Sequence, residues 1–419
     1  MQTHIAHTVD EIRDIPELTD GETWDHARDF LAAAPDDPFA DHLRVLMEDG
    51  RPVACVQVFL HRYPVGRAEV GMCLPEYPFV PPELRGRGHF KHLMADLFDW
   101  MSHNGYPLAY AHGRKGLYTG IGFAPCFHHC LVLLRVSDAL NLHVKAEARR
   151  GTEEDVQGYA HVFRRPFPLG RGLQCRDEAW EPAPDTVRLV PGLGGAPPRG
   201  FVVTRPPLPD DAPRRPGGAV TVSEGHAADA EAAAILLRTV AQEAAEAGCE
   251  WLRLNCRCED PLARFAVLAG GQLRWSAAQE RDATAEGEDV DAFYLADLRL
   301  ALEQLMPELA DRFRSFTGDA PRALVLAMDK DKVALSLRTD LGLPAKVPAD
   351  APTVHLPRKP MTQAIMGYAR PGELELLHEG CRIPESCRGV VDALFAAREP
   401  HLIHEGQAFA RLDKLGLVP

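Results

Sequence analysis

Apolar and polar positions change period several times along the first third of the chain. Residues 39–47 read as a strand, Glu48-Asp49-Gly50-Arg51 as a tight turn and 52–62 as the returning strand, which together predict a hairpin. A further extended segment begins near Ala68 and runs through Pro78-Phe79-Val80 into a Pro-Glu-Leu-Arg-Gly-Arg-Gly loop. The period then becomes helical, because Phe90, Leu93, Met94, Leu97, Phe98 and Met101 fall on one face and Asn104-Gly105 supplies a stop. After it come an apolar run at 106–111, a short helical segment around Tyr118 and an extended stretch at 127–136, where the first unit is expected to close.

A second unit repeats this order. Thr152 and Asp155 have capping-box spacing ahead of a helix. Strands are predicted at 186–190, 201–204 and 219–222, with a polar loop at 206–218, a helix at 229–247 and another strand at 251–254. The glycine loop is missing here, since Ser223-Glu224-Gly225-His226-Ala227-Ala228-Asp229 encodes no phosphate cradle. The third unit opens near Leu295 with Leu302, Leu305, Met306 and Leu309 at helical spacing, and Pro307 is expected to break or kink that helix. A hairpin at 323–328 and 333–338, a strand at 353–356 and a helix at 385–397 follow. The expected fold class is α/β with mixed sheets, in three domains at 1–145, 146–294 and 295–419.

A chain of 419 residues exceeds a single core, so several domains are required in any case. Its formal net charge of -14 argues against a nucleic-acid binder, which concentrates Lys and Arg on one face, and suits a small cationic partner. The N-terminus has neither the basic start nor the apolar run of a signal peptide, and no stretch is apolar over membrane-spanning length, so cytoplasm without membrane attachment is expected. The ten cysteines read as reduced thiols. Cys256-Arg257-Cys258 lacks zinc-site spacing, and neighbouring His128 and His129 point to opposite faces of a strand, so no metal is expected.

The chemistry concentrates at Arg85-Gly86-Arg87-Gly88-His89-Phe90, between a strand and an amphipathic helix. Glycine backbone at a helix N-terminus turns several N–H groups toward an anion such as a pyrophosphate. Downstream stands Gly116-Leu117-Tyr118-Thr119-Gly120-Ile121-Gly122-Phe123. Together these segments resemble the GCN5-related N-acetyltransferase (GNAT) superfamily, whose loop reads Arg/Gln-x-x-Gly-x-Gly/Ala and is followed by Tyr-x-x-x-Gly-Phe/Tyr. Arg85, Gly88, Tyr118, Gly122 and Phe123 match, and Phe90 departs by standing where Gly or Ala is usual. The wording from Gly105 to His112 and at Gly122-Phe123-Ala124-Pro125 is similar to the enhanced intracellular survival (Eis) acetyltransferases.

That resemblance implies tandem GNAT-like domains, the second without the coenzyme motif, followed by a domain of sterol carrier protein fold, and a possible homo-oligomer, a hexamer in the family. It implies acetyl-coenzyme A as acyl donor and a primary amine as acceptor, expected to be a small cation; a protein lysine or N-terminus is the alternative, and a non-catalytic coenzyme A or lipid binder the rival reading. Backbone groups of Phe79 and Val80 would hold the thioester carbonyl and pantetheine, and residues 85–90 the pyrophosphate. Tyr118 is the candidate acid for the departing thiolate. The base would be the C-terminal carboxylate of Pro419, although the tail Leu415-Gly416-Leu417-Val418-Pro419 lacks an aromatic ending. Glu69, Glu76, His112 and a water relay are the alternatives.

Overall fold

The computed structural model describes residues 2–6, 42–126, 129–157, 184–192, 194, 198–205, 218–255, 260–276, 289–338, 341–344, 346 and 349–396. The strands β1 (Gln2–Ala6), β2 (His42–Glu48), β3 (Arg51–Val65) and β4 (Ala68–Phe79) form an antiparallel meander. Asp49 and Gly50 turn β2 into β3 with φ of 50° and 75°, the left-handed pair that a two-residue hairpin loop needs. Helix α1 (His89–His103) crosses back to β5 (Leu108–Arg114), and α2 (Lys115–Gly120) leads to β6 (Ala124–Pro125). One face of α1 is apolar at helical spacing and buries Leu93, Met94, Leu97 and Met101 against the sheet. Each such side chain contributes about 1.5–3 kcal/mol of transfer free energy.

The chain then leaves this sheet. Strand β7 (His129–Arg135), in the stretch expected to close the first unit, inserts between β12 (Trp251–Asn255) and β13 (Gln272–Ser276) of a second sheet. That sheet is completed by β8 (Arg149–Arg150), β9 (Val187–Val190), β10 (Gly200–Arg205) and β11 (Ala219–Ala227), covered by α3 (Ala230–Glu246) and α4 (Pro261–Leu268). In exchange, β14 (Asp289–Leu295) returns to the first sheet, where it pairs with β5 along its length and with β6. The orders are β1-β2-β3-β4-β5-β14-β6 and β13-β7-β12-β11-β10-β9-β8. Each seven-stranded sheet therefore holds a strand from the sequence neighbourhood of the other.

The third unit comprises α5 (Leu298–Arg314), a sheet of β15 (Ala323–Met328), β16 (Asp331–Leu337), β17 (Leu341–Gly342) and β18 (Thr353–His355), and helices α6 (Arg358–Met366) and α7 (Glu385–Leu394). Pro307 does not end α5: the helix continues on both sides of it. The reason lies in packing, because Leu302, Leu305 and Leu309 are buried around the proline and tertiary burial outweighs a local helix-breaking tendency.

The first sheet is a middle layer. Cys73, Ala109 and Ala111 meet α1 on one side. Val70, Met72 and Leu74 on the other side share one continuous core with α5, β15, β16, α6 and α7. Polar groups pin this contact: Gln304 on α5 accepts from Gly71 N (2.8 Å) and donates to Gly105 O (2.9 Å), while Glu308 accepts from Arg67 N (3.0 Å). Glu308 is buried and paired with Arg312, which also donates to Leu394 O (2.7 Å), so the charge is compensated where it is desolvated. Among the described residues no helix is long and apolar enough to cross a membrane.

Gly71 leaves no room for a side chain, since an added Cβ would lie 2.4 Å from Gly105 O, a backbone atom that cannot swing aside. Gly71→Ala is expected to cost about 1–3 kcal/mol, read as a lowered urea midpoint, whereas alanine at Gly116, which has open space around it, should leave the midpoint unchanged.

Candidate active site

Strands β4 and β5 run parallel and pair only at Met72–Leu108 and Cys73–Ala109. Beyond that point β4 stays on β3 through Phe79, and β5 turns its other edge to β14. The two strands therefore part, and among the described residues no strand pairing with β4 is seen on that side beyond Cys73. Phe79 ends β4, and Val80 follows it with its carbonyl accepting from Arg85 Nε (3.1 Å), which folds the loop back onto the strand end. This places the strand end at Phe79 and Val80 beside the start of the loop.

The loop itself is built from left-handed glycines. Gly86 has φ 79°, and Gly88, the N-cap of α1, has φ 87°. A Cβ built on either meets nothing within 4 Å, so the backbone faces open space. Among the described residues, the N–H groups of 86–91 have no protein acceptor; those at 89–91 are the orphan donors of a helix start. No acidic side chain lies in the first turn of α1, and Arg85, Arg87, Lys91 and His92 are exposed around it. The result is a local positive patch with convergent N–H donors on a chain of net charge -14, which is what a pyrophosphate needs. His89 offers only its backbone to the loop face, because its ring is buried and neither ring nitrogen has a partner.

The second sheet lacks this arrangement for a physical reason. The N-cap Asp229 of α3 accepts from Ala232 N (2.9 Å), and Arg199 binds both Asp229 and Glu231. Its own carboxylates occupy the positive end of the helix, so an external anion is repelled where α1 would attract one.

Tyr118 lies on α2, buried, its ring 6.2 Å from Phe90 and 5.3 Å from Phe123 in edge-to-face contacts. Phe90, bulky where the motif usually has Gly or Ala, thus forms one wall of the tyrosine's site. Burial raises the Tyr118 pKa above the ordinary phenol value, and the nearby Glu76 carboxylate raises it further. The phenol is held protonated. Gly122, at φ 106°, lets the chain turn back under Tyr118; a Cβ there would meet the Tyr294 ring at 3.0 Å.

Of the predicted proton acceptors, Glu76 is brought within electrostatic reach of Tyr118. It follows Met72 and Leu74 at the period of two that places it on the sheet face opposite α1. Glu69 is not part of the site: it pairs with Pro64 beside the β3–β4 turn, about 23 Å earlier along the strand at ~3.3 Å per residue. The His112 backbone pairs with Asp291 on β5. Pro419 lies outside the described residues. Among the described residues, no group of three or more His, Cys, Asp or Glu could hold a metal.

No protein-family model matches the chain, and no curated protein matches it in sequence. The structure does find counterparts, and they define the class: the chain has the fold of the GCN5-related N-acetyltransferases. It is similar to a GCN5-related N-acetyltransferase from Anabaena variabilis with TM-score 0.68 and 14% identity, over 96% of this chain and 99% of the other. The corresponding enzyme from Kribbella flavida gives TM-score 0.66 and 17% identity, over 96% and 98%. Within that class the chain is also similar to Eis from Mycobacterium abscessus, with TM-score 0.56 and 14% identity over 86% and 89% of the two chains.

If the patch at the start of α1 holds a pyrophosphate, a negative charge placed there must oppose it. Gly88→Asp is expected to raise the dissociation constant for coenzyme A at least about tenfold, since like charges ~4 Å apart near a protein surface repel by ~4 kcal/mol, more than the ~1.4 kcal/mol that a factor of ten requires. Calorimetry on the wild type should give one site per chain.

Proposed function

We propose that the chain is an acetyl-coenzyme A-dependent N-acetyltransferase acting on a primary amine. The observation that carries this reading is the convergence of three features at the gap between β4 and β5: the open glycine loop, the parting of the two strands beyond Cys73, and a protonated phenol with a carboxylate beside it. A protein that merely held coenzyme A would need the first two and not the third. In this reading residues 85–90 bind the donor's pyrophosphate, and main-chain groups of Phe79 and Val80 receive the pantetheine and polarise the thioester carbonyl as the amine attacks. Tyr118 donates its proton to the departing sulfur, a role suited to a phenol whose neutral form is favoured by burial.

The amine arrives as an ammonium, so a base, acting directly or through water, must take its proton. Two candidates compete: Glu76, which approaches Tyr118 from the sheet face opposite α1, and the carboxylate of Pro419. The acceptor we favour is a small cationic amine, in keeping with the acidic balance of the chain; a protein lysine is the second reading. We read the three sequence units at 1–145, 146–294 and 295–419 as catalytic GNAT, degenerate GNAT-like and sterol carrier protein-like domains, with β7 and β14 exchanged between the first two. The self-capped start of α3 supports the assignment of the second as degenerate.

Tyr118→Phe is expected to leave coenzyme A binding intact and to lower kcat by about ten- to ten-thousand-fold, the loss of a positioned acid. Because the phenol pKa is raised, wild-type kcat should show no downturn near pH ~10, where an ordinary tyrosine ionises. Free-thiol release with acetyl-coenzyme A and a panel of polyamines, aminoglycosides and lysine peptides tests the activity and sorts the acceptors; release with none of them overturns it.

Glu76→Gln and a short C-terminal extension separate the two bases. Loss of turnover in the first with a fully active second assigns Glu76, and the reverse assigns Pro419, whose carboxylate the extension carries about 3.5 Å away per residue.

A further inference from the structure

We propose that Lys359 and Gln363 of the third unit are positioning residues that hold the Tyr118 segment in place. Tyr118 sits on α2, a six-residue helix, and a helix this short does not hold itself in water. Something outside it must fix the phenol. Helix α6 supplies two hydrogen bonds. Lys359 Nζ donates to Thr119 O (2.9 Å), a carbonyl in the last turn of α2 that also accepts from Gly122 N (3.3 Å). Gln363 Nε2 donates to Pro125 O (2.9 Å), beyond the Gly122-Phe123 turn. Lys359 and Gln363 are four apart on α6 and so share one face. Together they bracket the segment from Thr119 to Pro125.

The bracket has a firm base. Met361, Ala364, Ile365 and Met366 of α6 are buried in the core that the third unit shares with the first sheet. Arg358 at its start pairs with Asp329 (3.0 Å), donates to Leu295 O and Ala296 O, and lies over the Tyr294 ring at 5.0 Å. Tyr294 stacks on Phe98 (3.7 Å between centroids) and touches Phe123 (5.5 Å), which touches Tyr118. The glycine loop belongs to α1 and receives nothing from α6. Donor binding and phenol placement are therefore held by different elements, and the two can be lost separately.

This inference rests on the proposed acetyl transfer, and its test keeps the two apart. In the full chain, Lys359→Met and Gln363→Leu together are expected to lower kcat about ten- to a hundredfold, the cost of a small misplacement at a reacting group. The KM for acetyl-coenzyme A should stay within about twofold. The leucine is tolerated because it also removes the buried Oε1 of Gln363, which has no hydrogen-bond partner among the described residues. Lys359→Arg, in an otherwise native chain, should restore the bond to Thr119 O and keep kcat. Amide exchange needs no turnover, and in the double variant it should accelerate across 115–125 while 89–103 and 358–366 keep native protection. Unchanged exchange across 115–125 overturns the proposal, as does an acceleration spread equally over all three segments. So does a kcat loss matched by an equal rise in KM for acetyl-coenzyme A. Acceleration confined to 115–125 in a chain that transfers no acetyl group would leave the positioning contact standing and sink the activity instead.

Discussion

The first sheet is buried on both faces, and most of the molecule follows from that. With α1 against one side and α5 and α6 against the other, its strands must be apolar in both directions, as β4 is from Val70 to Leu74. Backbone polar groups in such a layer have to be paired within the sheet. Where β4 parts from β5 that pairing stops, and such an opening in a buried layer is stable where a polar ligand or water can reach it. Glycine loop, phenol and carboxylate all gather at that opening.

Electrostatics sharpen the same place. An acidic chain keeps a cluster of cations around the start of α1 and no carboxylate in its first turn, whereas α3, its counterpart in the second sheet, is capped by Asp229 and covered by Arg199. Two helices of similar length and similar position thus end in opposite chemistry through a handful of side chains. At Tyr118 the dominant effect is desolvation rather than charge: removal of the phenol from water disfavours its ionised form, and Glu76 adds to that preference.

The exchange of β7 and β14 and the shared core with the third unit tie the parts together. Neither seven-stranded sheet can be completed by a contiguous stretch of chain, and β4 cannot keep its outer face buried without α5. The carbonyls of the Tyr118 segment are met from α6, far away in sequence. These links give a physical reason for the three units to be carried as one polypeptide.

Local features of this protein were legible in the residues themselves. The Asp49-Gly50 turn, the apolar face of α1, the Arg85-Gly86-Arg87-Gly88 loop, the Thr152–Asp155 capping pair and the missing loop of the second unit are all decided by neighbours a few positions apart, through φ preference and helical period. What periodicity does not carry is the identity of a strand's partner, because an alternating pattern fits any edge that offers a matching face. Hence the stretch where the first unit was expected to close supplies β7 to the second sheet, and Pro307, expected to break or kink its helix, does not end it. The nearness of Glu76 to Tyr118, the wall that Phe90 gives Tyr118, and the bonds from Lys359 and Gln363 also belong to tertiary structure alone. Each depends on a distance through space between segments that the chain keeps apart.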